Sequence, residues 1–154
     1  MEKERGKQLL ASKVRIPEMT HNLIERTHLL ELVEKDKSQI TVFNAGAGFG
    51  KTILMAELAR RHENHCIWYQ IDSSDNDRTY FFNGLLYALS KAFQESEEAR
   101  EDFNSLNLSE DKMKRTIFLL SEKVAGHMDG ELYFMLDDFH EIWEEEVFAM
   151  LSLL

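Results

Sequence analysis

The chain has 154 residues, of which 44% are hydrophobic and 30% are charged, and its formal net charge is −10. This length allows one domain with a real core, and the negative charge argues against a nucleic-acid-binding surface in this segment. One cysteine, Cys66, excludes an internal disulfide and is typical of a reducing compartment. Neither a secretory signal nor an apolar run long enough to cross a bilayer is evident, so we expect a cytoplasmic protein without membrane contact.

The first 43 residues predict an arm, a helix and a strand. Residues 1–13 are charged and patternless, so we expect a mobile N-terminal arm, with the folded domain at 14–154. Apolar residues recur at helical spacing between Leu23 and Val33, which predicts a short helix. The β-branched and apolar run at 39–43 predicts a strand that leads into a glycine-rich stretch.

That glycine-rich stretch, residues 44–52, has the pattern of a phosphate-binding loop. It is followed by a run of good helix formers, and it matches G-x-x-x-x-G-K-[ST] except at its first position, Ala45. Glycines let backbone N–H groups point at an anion, and a following helix adds its free N-terminal N–H groups and its dipole. The alternative is a glycine-rich turn followed by an unrelated helix.

Each position of the motif has an expected role. Lys51 would place a charge on the β- and γ-phosphates and act as a catalytic residue, and Thr52 would supply a hydroxyl ligand for Mg²⁺. The expected nucleotide-binding residues are Ala45, Gly46, Ala47, Gly48, Phe49, Gly50, Lys51 and Thr52.

The patterns that follow alternate between strands and helices. Residues 66–71 predict a buried strand, and 72–77 predict a turn with helix-capping aspartates. An apolar stripe at 82–93 predicts a core-facing helix, and a second stripe at 113–124 leads to a third strand at 132–136. Strands joined by helical crossovers predict an α/β fold with a parallel sheet and helices on both faces. Ligands of such sheets bind beyond the carboxyl ends of the strands.

The third predicted strand ends in two adjacent acids, Asp137 and Asp138. An apolar run followed by an acid is the Walker B pattern, whose carboxylate holds Mg²⁺. By position, Asp137 is the metal residue and Asp138 the catalytic base for a water that attacks the γ-phosphate. The alternative is two acids that leave a strand for solvent. We expect a surface or capping role for His140, and no structural metal, because the histidines lack ligand spacing.

With both motifs in place, the chain from Lys13 onward resembles the signal-transduction ATPases with numerous domains (STAND), in the branch of maltose-regulon activators and related large LuxR-type transcription regulators. The matching stretches are KVRIP at 13–17, LIER at 23–26, the loop at 44–52, WYQID at 68–72 and LDDFH at 136–140. The resemblance implies an ASCE-type P-loop NTPase fold, with Arg26 near the adenine and ribose. It also implies a switch that binds Mg-ATP, hydrolyses it slowly and self-associates in the intact regulator.

The resemblance further implies that the chain is the N-terminal part of a larger regulator, truncated after the Walker B strand. In the family sheet another strand separates the loop strand from the Walker B strand. We therefore expect either unpaired strand edges or direct pairing of the first and third strands.

Two other functions stay open: a small P-loop phosphotransferase and an inactive remnant. A phosphotransferase would need lid arginines, and no recognisable lid contains the arginines after the loop. These are Arg60, Arg61, Arg78, Arg100 and Arg115. ATP binding is expected to survive in this chain more readily than hydrolysis.

Overall fold

The computed structural model describes residues 2–18, 26–36, 38, 40–92, 115 and 132–151. The elements within these residues are α1 (Glu2–Lys13), α2 (Thr27–Lys35), α3 (Lys51–Arg61), β1 (Cys66–Gln70), α4 (Arg78–Ala92), β2 (Tyr133–Asp137) and α5 (Glu145–Leu151). Short 3₁₀ turns follow α3, β1 and β2. None of the described helices is long and apolar enough to cross a membrane. The predicted helical stripe at 113–124 lies outside the described residues, apart from Arg115.

The two strands form a parallel pair. Their register runs from Cys66 opposite Tyr133 to Gln70 opposite Asp137, and a hydrogen bond of 3.0 Å from the Ile71 amide to the Asp137 carbonyl extends the ladder. The predicted parallel arrangement of these two strands is confirmed. Because parallel strands end at the same sheet edge, the carboxyl end of β1 lies beside the acids that follow β2.

Helices cover both faces of this pair. Side chains of β1 point alternately to opposite faces, so Ile67 and Tyr69 pack with α4 while Trp68 packs with α3 and α2. The apolar stripe predicted for α4 is confirmed as core within the described residues. Its buried members are Phe82, Leu85, Leu86 and Leu89.

The N-terminal residues, which the sequence predicts as a mobile arm, contain helix α1 at Glu2–Lys13, and their mobility stays a prediction. Lys13, the last residue of α1, is only 4% exposed. Its ammonium lies 2.6 Å from Asp75 and 2.9 Å from Asp72. A buried carboxylate such as Asp75 requires a paired cation, and α1 supplies it. Lys13 therefore contacts a buried residue of the part that the sequence predicts as the folded domain.

The strand predicted at 39–43 is also wrong for the residues that the structure describes. Residues 40–44 carry no strand assignment, and the side chains of Ile40 and Val42 are 81% and 78% exposed. Only Phe43 packs partly against the α2–α3 cluster. β-Propensity is expressed when a neighbouring strand pairs with the segment, and in the described sheet β2 pairs with β1 alone. Within the described residues, the predicted first strand therefore does not pair with β2, which is the predicted third strand. This agrees with the alternative in which strand edges stay unpaired.

Candidate functional site

The glycine-rich loop, residues 45–50, turns directly into α3. Gly48 and Gly50 have φ angles of 77° and 78°, in the left-handed region that glycine enters without steric cost. Gly50 is the N-cap of α3, and its carbonyl accepts a hydrogen bond of 3.0 Å from the Leu54 amide. The loop thus ends where the unpaired N–H groups of a helix begin, which is an anion-binding position. Phe49 at its tip is 69% exposed.

Lys51 folds back across its own loop. Its ammonium nitrogen lies 2.6 Å from the Ala45 carbonyl oxygen and 3.1 Å from that of Gly46. These bonds hold the positive charge against the backbone of the loop. An anion bound by the loop would compete with the two carbonyls for this ammonium group.

Thr52 and Asp137, the two predicted Mg²⁺ ligands, are brought together. The Thr52 hydroxyl donates to Asp137 Oδ1 at 3.1 Å. Thr52 stands in the first turn of α3, and Asp137 is the last residue of β2. Packing of α3 against β2 therefore joins the loop to the acid pair.

Asp137 is unusually buried for an acidic residue at the end of a strand. It is 3% exposed, and its Oδ2 is buried without a hydrogen-bond partner among the described residues. Burial raises the pKa of the Asp137 carboxyl, and the neighbouring Asp138 raises it further, whereas the Thr52 hydrogen bond and the Lys51 charge lower it. A buried carboxylate oxygen without a partner is costly. A cation at this position would satisfy it.

The donor set fits a magnesium ion that keeps most of its own ligands. Mg²⁺ in phosphate sites takes one or two protein oxygens and completes its shell with water and phosphate. The Thr52 hydroxyl and the Asp137 carboxylate match that requirement. In the described part of the chain, no group of three or more histidine, cysteine, aspartate or glutamate side chains could hold a metal.

Asp138, the predicted base, has a left-handed backbone with φ 56° and ψ 35°. Its Oδ2 accepts a hydrogen bond of 2.6 Å from the Gln70 side-chain amide, and its Oδ1 lies 3.9 Å from His140 Nδ1. The His140 side chain is 70% exposed, in keeping with the expected surface role. Gln70 was missed by sequence reasoning, and only the parallel register, which sets it opposite Asp137, could have found it.

Arg26 contacts the loop from the start of α2. Its Nη1 lies 2.9 Å from the Phe49 carbonyl oxygen and 3.4 Å from that of Gly50. The guanidinium therefore binds the backbone of the loop, next to the residue where α3 begins.

The turn after β1 connects the two strand ends. The expected capping roles of its aspartates are confirmed: Asp72 accepts from the Ser74 amide, and Asp77 accepts from the Tyr80 amide, each at 2.8 Å. Asn76 donates to the Glu141 carbonyl at 2.8 Å and accepts from the Trp143 amide at 2.9 Å. The segment after Asp138 is thus fastened to the end of β1.

Comparison with known proteins finds relatives among bacterial transcription regulators. No family model matches the chain. It is similar to HTH-type transcriptional regulators MalT, with 33% identity to that of Vibrio cholerae over 142 residues, 34% to that of Vibrio parahaemolyticus over 142 residues and 31% to that of Yersinia pestis over 144 residues. Each match covers 90% of this chain and 15% of the relative. The chain therefore spans about 15% of the length of the curated relatives that it matches.

Proposed function

We propose that this chain is the Mg-ATP-binding part of a signal-responsive transcription regulator of the MalT type, with a P-loop ATPase fold of the STAND class. The observation that carries the proposal is the 3.1 Å hydrogen bond between Thr52 and Asp137. It holds the two predicted magnesium ligands within reach of one ion, although 85 positions separate them. The similarity to MalT regulators supports the regulatory setting.

In the proposed site, different residues bind the phosphates, hold the magnesium ion and accept a proton. The loop amides and the start of α3 bind the nucleotide phosphates, and Lys51 exchanges the carbonyls of Ala45 and Gly46 for phosphate oxygens. Magnesium, when bound by Thr52 and Asp137, would neutralise charge on the β- and γ-phosphates. Asp138, held by Gln70, would accept a proton from the water that attacks the γ-phosphate.

The wider setting belongs to the same proposal. The intact regulator hydrolyses ATP slowly in the cytoplasm and uses the bound state to control its own assembly. This segment, with a net charge of −10, contacts the nucleotide and leaves DNA to other parts of the regulator.

The following contacts of arginines after the loop do not favour a phosphotransferase. Arg60 donates to the Pro17 carbonyl at 2.7 Å, Arg61 lies 3.6 Å from Glu34, and Arg78 lies 3.4 Å from Glu146. These partners are outside the loop, whereas phosphoryl transfer uses cations against the transferred group. Arg115 is exposed, and Arg100 lies outside the described residues.

Titration with a fluorescent ATP analogue tests the proposal. It is run with Mg²⁺ and with a chelator, on the wild type, on Lys51→Ala and on Lys91→Ala, which removes an exposed lysine of α4. We expect saturable binding that Lys51→Ala weakens by about tenfold or more and that Lys91→Ala leaves unchanged. Saturating ATP, at about 100 times its dissociation constant, should add about 2.7 kcal/mol to the free energy of unfolding.

Two outcomes would overturn the proposal. A chain that is folded by circular dichroism but binds no nucleotide would favour the inactive remnant. Transfer of phosphate to a small-molecule acceptor would favour the phosphotransferase.

A further inference from the structure

The position of Arg26 is fixed by packing that is independent of any ligand. Its carbonyl accepts hydrogen bonds from the amides of Leu29 and Leu30 at 2.9 and 3.2 Å, where α2 begins. Leu30 is 1% exposed in the core cluster that contains Leu54 and Leu58 of α3. Since α3 starts at the end of the glycine-rich loop, α2 carries Arg26 to a fixed place against that loop.

The loop carbonyls accept hydrogen bonds from two cationic side chains, Lys51 and Arg26. A loop that turns N–H groups toward an anion must turn other carbonyls away, and those carbonyls need donors. Lys51 donates to the carbonyls of Ala45 and Gly46. Arg26 donates to the Phe49 carbonyl and, at 3.4 Å, to the Gly50 carbonyl, which also accepts from the Leu54 amide. An arginine suits the second task because a guanidinium only donates hydrogen bonds, and a single nitrogen, Nη1, donates to both carbonyls here.

Gly50 is matched to this arginine. A Cβ atom at residue 50 would lie 2.7 Å from Arg26 Nη2, so any side chain there would displace the guanidinium. The φ angle of 78° excludes other residues at low cost as well. The loop backbone and the Arg26 side chain therefore fit only with glycine at this position.

We infer that Arg26 is a positioning residue that fixes the second half of the loop and acts on nucleotide phosphates through the loop, without reading the nucleobase. This role deepens the proposed function and rests on it for its effect on binding. The family resemblance implies instead a place near adenine and ribose, and the two roles predict different ligand dependence. When phosphates enter the loop, Lys51 has to leave its two carbonyls, whereas Arg26 keeps both of its own.

The inference predicts that a substitution of Arg26 weakens the affinity for every polyphosphate ligand by the same factor. Arg26→Gln should weaken binding of ATP, GTP and inorganic tripolyphosphate by the same factor, about tenfold, because hydrogen bonds from one charged group are lost in each case. Arg26→Lys should recover part of the affinity, since an ammonium group keeps the positive charge and can donate to the Phe49 carbonyl. A loss for ATP with no loss for tripolyphosphate would mean base reading and would overturn the inference.

Proteolysis without nucleotide tests the positioning role separately. Chymotrypsin cleaves after exposed aromatic residues, and the Phe49 carbonyl that Arg26 binds belongs to the bond after Phe49. Cleavage there should become about tenfold faster in Arg26→Gln, because the loop leaves its fixed form more often. Cleavage after Trp143, which is 62% exposed, is the reference within the same chain and should not change.

The outcomes separate this inference from the proposed function. Unchanged cleavage after Phe49 would overturn the positioning role whether or not ATP binds, and faster cleavage at both sites would contradict a role confined to the loop. Arg60→Gln, which removes a contact to the Pro17 carbonyl, is the matched control and should leave cleavage after Phe49 unchanged. If the wild type binds no polyphosphate while Arg26→Gln loosens the loop, the proposed function fails and the positioning role stands.

Discussion

Thr52 on α3 and Asp137 at the end of β2 are joined by a hydrogen bond of 3.1 Å across 85 positions of sequence. Two features of the fold produce this contact. α3 begins where the glycine-rich loop ends, and the parallel register of β2 with β1 sets Asp137 at the carboxyl edge of the sheet. The buried Asp137 Oδ2 remains without a partner among the described residues, and a cation beside Thr52 would satisfy it.

Asp137→Asn should raise the free energy of unfolding of the ligand-free chain at neutral pH by about 1 kcal/mol. Burial raises the pKa of the Asp137 carboxyl, so the folded state favours the protonated form. The stabilisation from that proton is complete below the ordinary pKa of the group and is lost as pH rises through the raised folded pKa. At neutral pH the buried charge is therefore a cost that asparagine avoids. Urea denaturation at several pH values measures the difference.

The pH dependence of that difference is the sharper part of the prediction. The advantage of Asp137→Asn should shrink as the solution becomes acidic, because the wild-type carboxyl then takes up its proton. Glu144→Gln, at an exposed acid, should show no comparable gain. An advantage that is constant across the pH range would contradict the assignment to the Asp137 charge.

Glycine and alanine at position 138 should differ by about 1 kcal/mol in the free energy of unfolding. Asp138 has φ 56°, and an L-residue with a Cβ atom pays for that left-handed conformation. Asp138→Gly and Asp138→Ala both lose the hydrogen bond from Gln70, so each is the control for the other. Chemical denaturation should give the glycine variant the higher stability. Equal stabilities would mean that residue 138 is not held left-handed in solution.

Lys13→Met should lower the free energy of unfolding by roughly 3 kcal/mol, because it leaves the buried Asp75 carboxylate without its cation. Asp75 is 0% exposed, and its ion pair with Lys13 is 2.6 Å long. Lys35→Met is the matched control, since that lysine is 75% exposed in its pair with Glu31 and should cost less than about 0.5 kcal/mol. If urea denaturation gave equally small losses of unfolding free energy for both variants, residues 1–13 would be an independent arm.

Gly84→Ala should destabilise the protein by about 2 kcal/mol, as overpacking does, although alanine is favoured over glycine in helices by about 1 kcal/mol. An added Cβ atom would lie 2.0 Å from the Tyr69 hydroxyl oxygen. That hydroxyl donates to the buried Asp75 at 2.6 Å, so moving it away from an added Cβ atom would break this hydrogen bond. Thermal unfolding with Tyr69→Phe in a double-mutant cycle should give less than additive losses. A stabilised Gly84→Ala would contradict the packing of α4 on β1.

The features that sequence predicted correctly are local ones. The stripe from Phe82 to Leu89 and the apolar run that ends at Asp137 are periodic or contiguous patterns, and each determines an element without knowledge of its neighbours. Capping by Asp72 and Asp77 is equally local, because the donors lie two and three residues away. The nearness of Thr52 and Asp137 is not local, because 85 positions separate them. The sequence pointed to it only through the rule that ligand sites lie at the carboxyl edge of parallel strands.

The features that sequence missed depend on distant partners. In the sequence, Lys13 is one of several charged residues in a polar segment. Its buried partner Asp75 is 62 positions away. Gln70 becomes relevant only when the register sets it beside Asp138. The run at 39–43 has strand composition, but strand formation requires a neighbour that pairs with it, and composition does not supply one.

A double-mutant cycle on Thr52→Val and Asp137→Asn, with ATP affinity measured by calorimetry in Mg²⁺ and in chelator, tests the proposed site most directly. We expect Mg²⁺ to strengthen binding to the wild type and each substitution to remove most of that gain. Because both side chains would hold one ion, the double variant should lose little more than the weaker-binding single variant. An affinity that ignores Mg²⁺ in the wild type, or two losses that simply add, would contradict a shared magnesium site between the loop and the acid pair.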